Sequence, residues 1–193
     1  MMSPDSIIFA GVELSSGRKP VTFAALNEDL KVTRMEQWSV SEARVCLNDL
    51  GSLWLAMSMA PVDRPIEQDF RKKAVEADFA LYPARGDSKQ LLMTNAHDCF
   101  QALIGQKPLS RRSLEGRLQR SAILYEQGLQ IKDPIDVFEE ITRFKLMQGI
   151  LPLEDVPSPK ELDALAVAYV AWLAVNRPGQ IVLRGGFVLP AQE

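Results

Sequence analysis

The first forty residues alternate between apolar runs and short polar breaks. "IIFAGV" (7–12) is a nearly continuous apolar run, "SSGRK" (15–19) supplies turn residues, and "VTFAAL" (21–26) is a second run. A second turn, Asn27-Glu28-Asp29, leads into 31–38, where apolar and polar positions partly alternate. Short apolar or alternating runs bounded by turn residues predict strands, and three in succession predict an antiparallel meander. The period then changes. Residues 41–50 carry a helical pattern, with Ser39 or Ser41 as N-cap and Gly51 as the stop, and 52–59 reads as a short buried strand.

Beyond Pro61 the chain becomes more charged and more helical. The pattern predicts a helix over 65–77, a brief strand over 79–82, a loop over 84–89 and a helix over 91–105. After a connection at 108–112, residues 113–127 predict an amphipathic helix that Gly128 ends. The segment 136–139 is short, apolar and ends in acid, which reads as a strand; a helix through 139–147 is the other reading. "SPKE" (158–161) is a capping box with proline at the first helical position, and predicts a helix to about Asn176, before Pro178-Gly179. Residues 181–188 follow as a strand or loose tail. Strands first, then helices alternating with strands, predict an α/β fold with a mixed sheet. The chain reads as one domain, 1–193, with a mainly helical insertion near 62–112.

Composition narrows the function classes. Apolar residues make up 47% of 193, enough to bury a proper core. The formal charge of −3 argues against a generic polyanion binder and leaves room only for a local basic strip. Cys46 and Cys99 stand far apart in no metal or redox spacing, which predicts reduced thiols and a cytoplasmic location. No membrane association is expected, because the start of the chain has neither a basic n-region nor a long apolar stretch, and the apolar segment 164–175 is only about 12 residues long.

Three acidic positions lie at element ends among apolar neighbours: Glu13 after the first run, Glu139 and Glu140 after 136–138, and Asp163 early in the last helix. Carboxylates from distant segments that meet at one sheet edge make a hard-oxygen site for Mg²⁺ or Mn²⁺. Ions so held activate water and stabilise a leaving oxygen in phosphodiester cleavage. With a single histidine, His97, such chemistry here draws on acids. Each acid also has a plain reading. Glu13 suits a solvated hairpin mouth, one of Glu139 and Glu140 suits an exposed surface, and Asp163 gains roughly 0.3–1 kcal/mol from a helix N-terminus without any function. His97 reads as a surface or capping residue. The basic run 111–120 puts Ser113, Arg117 and Arg120 on one helical face, with Leu114 and Leu118 on another. It is a phosphate-contacting strip, with Arg112 and Arg117 as the candidates, or a solvated face. Ser15-Ser16-Gly17 reads as a phosphate-cradling turn of the kind found in actin-like ATPases, or as a plain hairpin.

In order along the chain, "FAGVELSSGRKPVTFAAL", "LWLAMSMAPVDRP", "LYEQGLQIKDPIDVFEEI" and "ELDALAVAYVAWLA" resemble segments of the domain-of-unknown-function family 429, whose members are predicted ribonuclease H-like nucleases. The resemblance spans roughly residues 7–176, and its last segment is the most specific. It implies a ribonuclease H-like mixed sheet of five strands, the first three antiparallel, with helices on both faces. It also implies metal-dependent nuclease activity with Mg²⁺ or Mn²⁺ and a nucleic-acid substrate. The first-strand acid falls on Glu13, where Asp is more usual; the later glutamate falls on Glu139, with Glu140 the adjacent option; the helical aspartate falls on Asp163. One position departs from the pattern. Relatives end the strand after the meander with an Asp-Ala-Pro-like motif, and this chain has Met59-Ala60-Pro61, with Asp63 and Glu67 the nearest acids. A thioether is a soft ligand and does not replace a carboxylate on Mg²⁺. A second reading is therefore a non-catalytic nucleic-acid-binding or interaction module with a degenerate acidic site. A third is an actin-like phosphotransferase using Ser15, Ser16 and Gly17, which requires a second phosphate hairpin and an adenosine pocket.

Overall fold

The computed structural model describes residues 7–49, 52–60, 62, 64–83, 89–145, 147–149 and 156–191. β1 (Ile8–Leu14), β2 (Val21–Leu26) and β3 (Val32–Trp38) form the antiparallel meander. α1 (Val40–Asp49) crosses to β4 (Leu53–Ser58), which pairs parallel with β1. α2 (Pro65–Glu76) and the two-residue β5 (Ala80–Leu81) precede β6 (Lys89–Thr94), which lies parallel to both β4 and β5. The sheet order is β3-β2-β1-β4-β6-β5. Then come α3 (Ala96–Ile104), α4 (Leu114–Glu126), α5 (Pro134–Glu140) with a π-helical turn at Ile141–Lys145, α6 (Pro159–Asn176), and a hairpin of β7 (Ile181–Arg184) and β8 (Phe187–Pro190). The protein is thus an α/β fold built on a mixed sheet. Among the described residues, no helix is long and apolar enough to cross a membrane.

Successive side chains of a strand point to opposite faces, so a sheet covered on both faces needs apolar residues at every position. β1 and β2 meet that requirement. Ala10, Val12 and Leu14 join Phe23 and Ala25 in one core with Ala43 and Leu47 of α1 and Phe70 and Ala74 of α2. Phe9, Ala24 and Leu26 enter the other core with α3, α4 and α6. α6 is buried at every residue from Leu162 to Ala174. A helix apolar on all sides belongs in the interior, and α6 lies against β1, β2 and β4 while α3, α4 and the β7–β8 hairpin cover it.

Gly11 lets α6 come close. A Cβ at this position would lie 2.0 Å from the carbonyl oxygen of Ala164 and 2.5 Å from the amide of Ala168. Two residues on, facing the same way, is Glu13. The register places Glu13 opposite Thr22 of β2 and Ser58 of β4, and Ser58 opposite Thr94 of β6. A row of four buried polar residues therefore crosses four strands at the end where β1, β4 and β6 terminate. In open α/β sheets, the carboxyl ends of parallel strands are where ligands bind.

Three expected elements are corrected. Residues 91–105 are not one helix. Leu91 faces one core and Leu92 the other, so 89–94 is a strand buried on both sides, and Asn95 then caps α3 by accepting from the Asp98 amide at 3.0 Å. A run apolar on both faces does not distinguish strand from helix by period alone. Residues 136–139 are helical rather than a strand. Asp133 caps the Ile135 amide at 2.8 Å and Pro134 takes the first turn, so helical structure runs from Pro134 to Lys145, as the other reading of that stretch had it. The tail at 181–188 is a two-strand hairpin, turned by Gly185 and Gly186 with φ of 58° and 85°, a pair of left-handed positions that suits a tight turn. The segment 62–112 contributes α2, β5, β6 and α3, and β6 pairs with β4 along its length, so it belongs to the sheet instead of standing off it as an insertion. Of the loop expected over 84–89, all but Lys89 lies outside the described residues.

Candidate functional site

Glu13 is 7% exposed and flanked on the sheet by Thr22 and Ser58. Burial pushes its carboxyl up to about 7, against the pull of a hydrogen bond from the Ser58 hydroxyl. The charge of Asp163 raises it further, while the Arg111 and Arg64 guanidinium groups lower it.

Asp163 arrives from the other end of the chain. Ser158 and Glu161 form a reciprocal capping box, with Pro159 in the first turn, which sets where α6 begins. The close approach at Gly11 then brings the first turns of α6 down beside Glu13. Asp163 is 3% exposed, and burial raises its pKa while Arg111 opposes the rise. Arg111 joins the two acids: its Nη1 lies 2.5 Å from Asp163 Oδ2 and 3.8 Å from Glu13 Oε1.

A pocket of about 180 Å³ opens over this pair. Its walls include Ser58 and Met59 after β4, the first turn of α3 with His97, and the side chains of Arg64 and Arg120. The loop after β4 is tied down from three directions. Asn95 Nδ2 donates to the Met59 carbonyl at 2.7 Å, the Ala60 amide donates to Glu67 Oε1 at 2.9 Å, and Arg64 donates to the Leu14 carbonyl at 3.0 Å. A larger cavity of about 510 Å³ lies near the other end of α6, beside Leu173 and Arg177, and no acidic side chain lines it. Chemistry therefore concentrates in the smaller one.

Of the expected acids, the structure brings Glu13 and Asp163 together. It does not bring Glu139 or Glu140 to them. Both are exposed on α5, whose Pro134 and Val137 turn inward, and Glu140 pairs with Lys132 at 2.8 Å. Glu67 is fully buried, but its carboxylate is engaged by the backbone of Ala60 and Arg64 and by the Arg64 side chain, so it serves the loop and α2. Ser58 stands beside Glu13 on β4, and Met59, the position of the expected second acid, packs into the core on the α1–α2 face. Asp63 lies outside the described residues.

The basic run resolves differently from its expected roles. Arg112 is exposed in the turn before α4, and Arg117 is buried, donating to the carbonyls of Val156 and Pro157. The arginines that reach the pocket are their neighbours Arg111 and Arg120. Helical spacing already put Arg120 on the face of Arg117, but nothing in the pattern told which of the two meets the sheet end. His97 is exposed at the rim. Ser15, Ser16 and Gly17 form the β1–β2 turn; Ser15 bonds locally to the Pro20 carbonyl at 3.3 Å and none of the three lines the pocket.

Among the described residues, no group of three or more His, Cys, Asp or Glu side chains gathers as a metal site. Comparison of the chain with protein-family models, with curated proteins and with solved structures finds no match in any of the three.

Proposed function

We propose that this protein is a metal-dependent phosphodiester hydrolase on a ribonuclease H-like scaffold, acting on nucleic acid, with Glu13 and Asp163 as its acidic pair. The observation that carries this reading is the meeting of two buried carboxylates, from β1 and α6, at the carboxyl ends of the parallel strands with a cation between them. The meander followed by parallel strands on the far side of β1 supports the scaffold.

The donor set fits Mg²⁺ or Mn²⁺. Glu13, Asp163 and the Ser58 hydroxyl would offer hard oxygens to such an ion, and the Arg111 guanidinium already sets a positive charge beside both carboxylates. Mg²⁺ is commonly held by one or two carboxylates, with water and substrate phosphate completing its shell. Bound there, the ion supplies Lewis-acid activation of water and of the scissile phosphate. The protein's own residues do the rest. Glu13 would take part as the carboxylate, its proton passing to solvent, and the Ser58 hydroxyl would hold that carboxylate in place. Arg111 and Arg120 line the recess that would take the substrate phosphate.

Incubation of single-stranded, duplex and hybrid substrates with Mn²⁺ tests the assignment. Wild-type protein should cleave at least one of them, and Glu13→Ala and Asp163→Asn should each lower the rate by about 10²-fold or more, the scale of lost transition-state charge stabilisation. Equal rates in all three proteins reject those residues.

Met59 in place of an acid favours a second reading, a nucleic-acid-binding or interaction module whose acidic site no longer turns over. Calorimetry separates the two. A hydrolase should bind Mn²⁺ more tightly at pH 8 than at pH 6, because the proton on Glu13 must leave. A binding module should take up nucleic acid with no Mn²⁺ heat.

A further inference from the structure

Arg120 is 2% exposed, and its Nε and Nη1 find no hydrogen-bond partner among the described residues. A guanidinium is rarely left so, since burying an unpaired charge is costly. Its guanidinium lies over the Phe100 ring, 4.7 Å from Cζ to centroid. Asp163 is near enough to act on it electrostatically, yet the Asp163 carboxylate is already engaged by Arg111 at 2.5 Å. The charge balance of the pocket points the same way. Arg64 is paired with Glu67, and Arg111 with Asp163. Arg120 is left in the wall with no ion pair of its own among the described residues. The first turn of α3, with its positive dipole end, faces the same recess.

We propose that the pocket is a phosphate subsite in which Arg120, assisted by Arg111 and the N-terminal turn of α3, holds one phosphate group of the substrate. A tetrahedral oxyanion supplies the acceptors that the Arg120 fork lacks, and the guanidinium plane suits two-point contact with phosphate. A recess of about 180 Å³ takes a phosphate with its immediate ester neighbours and excludes a whole duplex end. The inference rests on the preceding reading for the nature of the substrate. The subsite itself does not depend on cleavage.

The test uses the full chain in EDTA, with inorganic phosphate in one arm and a short single-stranded oligonucleotide in the other. Affinity is read by calorimetry and melting by scanning fluorescence. Wild type should bind saturably and melt higher with ligand. Arg120→Met should melt higher than wild type in phosphate-free buffer, because a buried unpaired charge is gone, yet bind at least about tenfold more weakly. A merely structural arginine would behave in the opposite way, with lower melting and unchanged affinity. Should Arg120→Met fail to fold, Arg120→Lys keeps the charge and loses the fork, and an affinity equal to wild type then overturns the proposal. So does a wild-type protein indifferent to both ligands. Binding of phosphate alone identifies free phosphate or a small ester as the source; oligonucleotide binding that excess phosphate displaces identifies a strand. Phosphate binding without Mn²⁺-dependent cleavage keeps the subsite and removes the hydrolase; cleavage unaltered by Arg120→Met does the reverse.

Discussion

The Glu13 carboxyl keeps its proton to about pH 7 because burial penalises the anion more than Ser58 and the neighbouring arginines favour it. A carboxyl whose folded pKa lies above its ordinary value binds protons more tightly in the folded state. Its contribution to stability is present at low pH and is lost as pH rises from the usual carboxylate range through about 7. The burial of Asp163 acts in the same direction. Urea titrations should therefore show stability falling by about 3 kcal/mol between pH 5 and pH 8, and Glu13→Gln should remove most of that slope and be the more stable protein at pH 8. A wild-type profile that is flat or rises over this interval contradicts the burial argument. At this scale the sequence was informative where an acid interrupts apolar residues, as Glu13 and Asp163 do. It was silent on Arg111 and Arg120, because a charged helical face shows spacing but not which neighbour meets the sheet end. Glu139 and Glu140 showed the converse: acids after an apolar stretch that the helical turn of α5 carries to solvent.

Between β1 and α6 the controlling position is Gly11, where a methyl group would collide with the backbone of α6 at Ala164 and Ala168. Backbone atoms do not yield as a flexible side chain does, so Gly11→Ala forces the helix off the strand. We expect a loss of about 3 kcal/mol or more in denaturant midpoint experiments, together with weaker Mn²⁺ binding as Asp163 moves from Glu13. Unchanged stability would falsify the close approach. How well an element could be read followed its local chemistry. α6 was marked in full by Ser158-Pro159-Lys160-Glu161 at one end and Pro178-Gly179 beyond the other. The meander was equally plain, its short runs separated by Gly17 and by Asn27. β6 was hidden, because Leu91 and Leu92 serve opposite cores and the sequence run they make has no strand period. α5 was hidden because 136–139 make a short apolar run ending in acid, although Asp133-Pro134 just before it supplies a cap and a first-turn proline.

As a whole, the described residues form two main cores separated by the sheet, beside a small third cluster of Val137, Ile141 and Val156, and α6 occupies the largest with solvent reaching few of its residues. Opening α6 means dismantling that core. Its central amides, from Leu165 to Leu173, should exchange with solvent only through global unfolding, with the free energy found by denaturant extrapolation. Amides of the β7–β8 hairpin, where Val182 and Leu183 are exposed, should exchange far sooner. Faster exchange in α6 than in β1 or β4 would show that the helix is peripheral. The position of α6 in the chain has a further consequence during synthesis. Glu13 and Asp163 are about 150 residues apart, so a ribosome adding about 5–20 residues per second needs roughly 8–30 s between them. Through that interval the α6 side of β1 and β2, with Phe9, Ala24 and Leu26, lacks the helix that lies directly against it. The nascent chain must carry an adhesive half-finished sheet until its last long helix emerges, which makes it a natural client for chaperones that shield apolar surface.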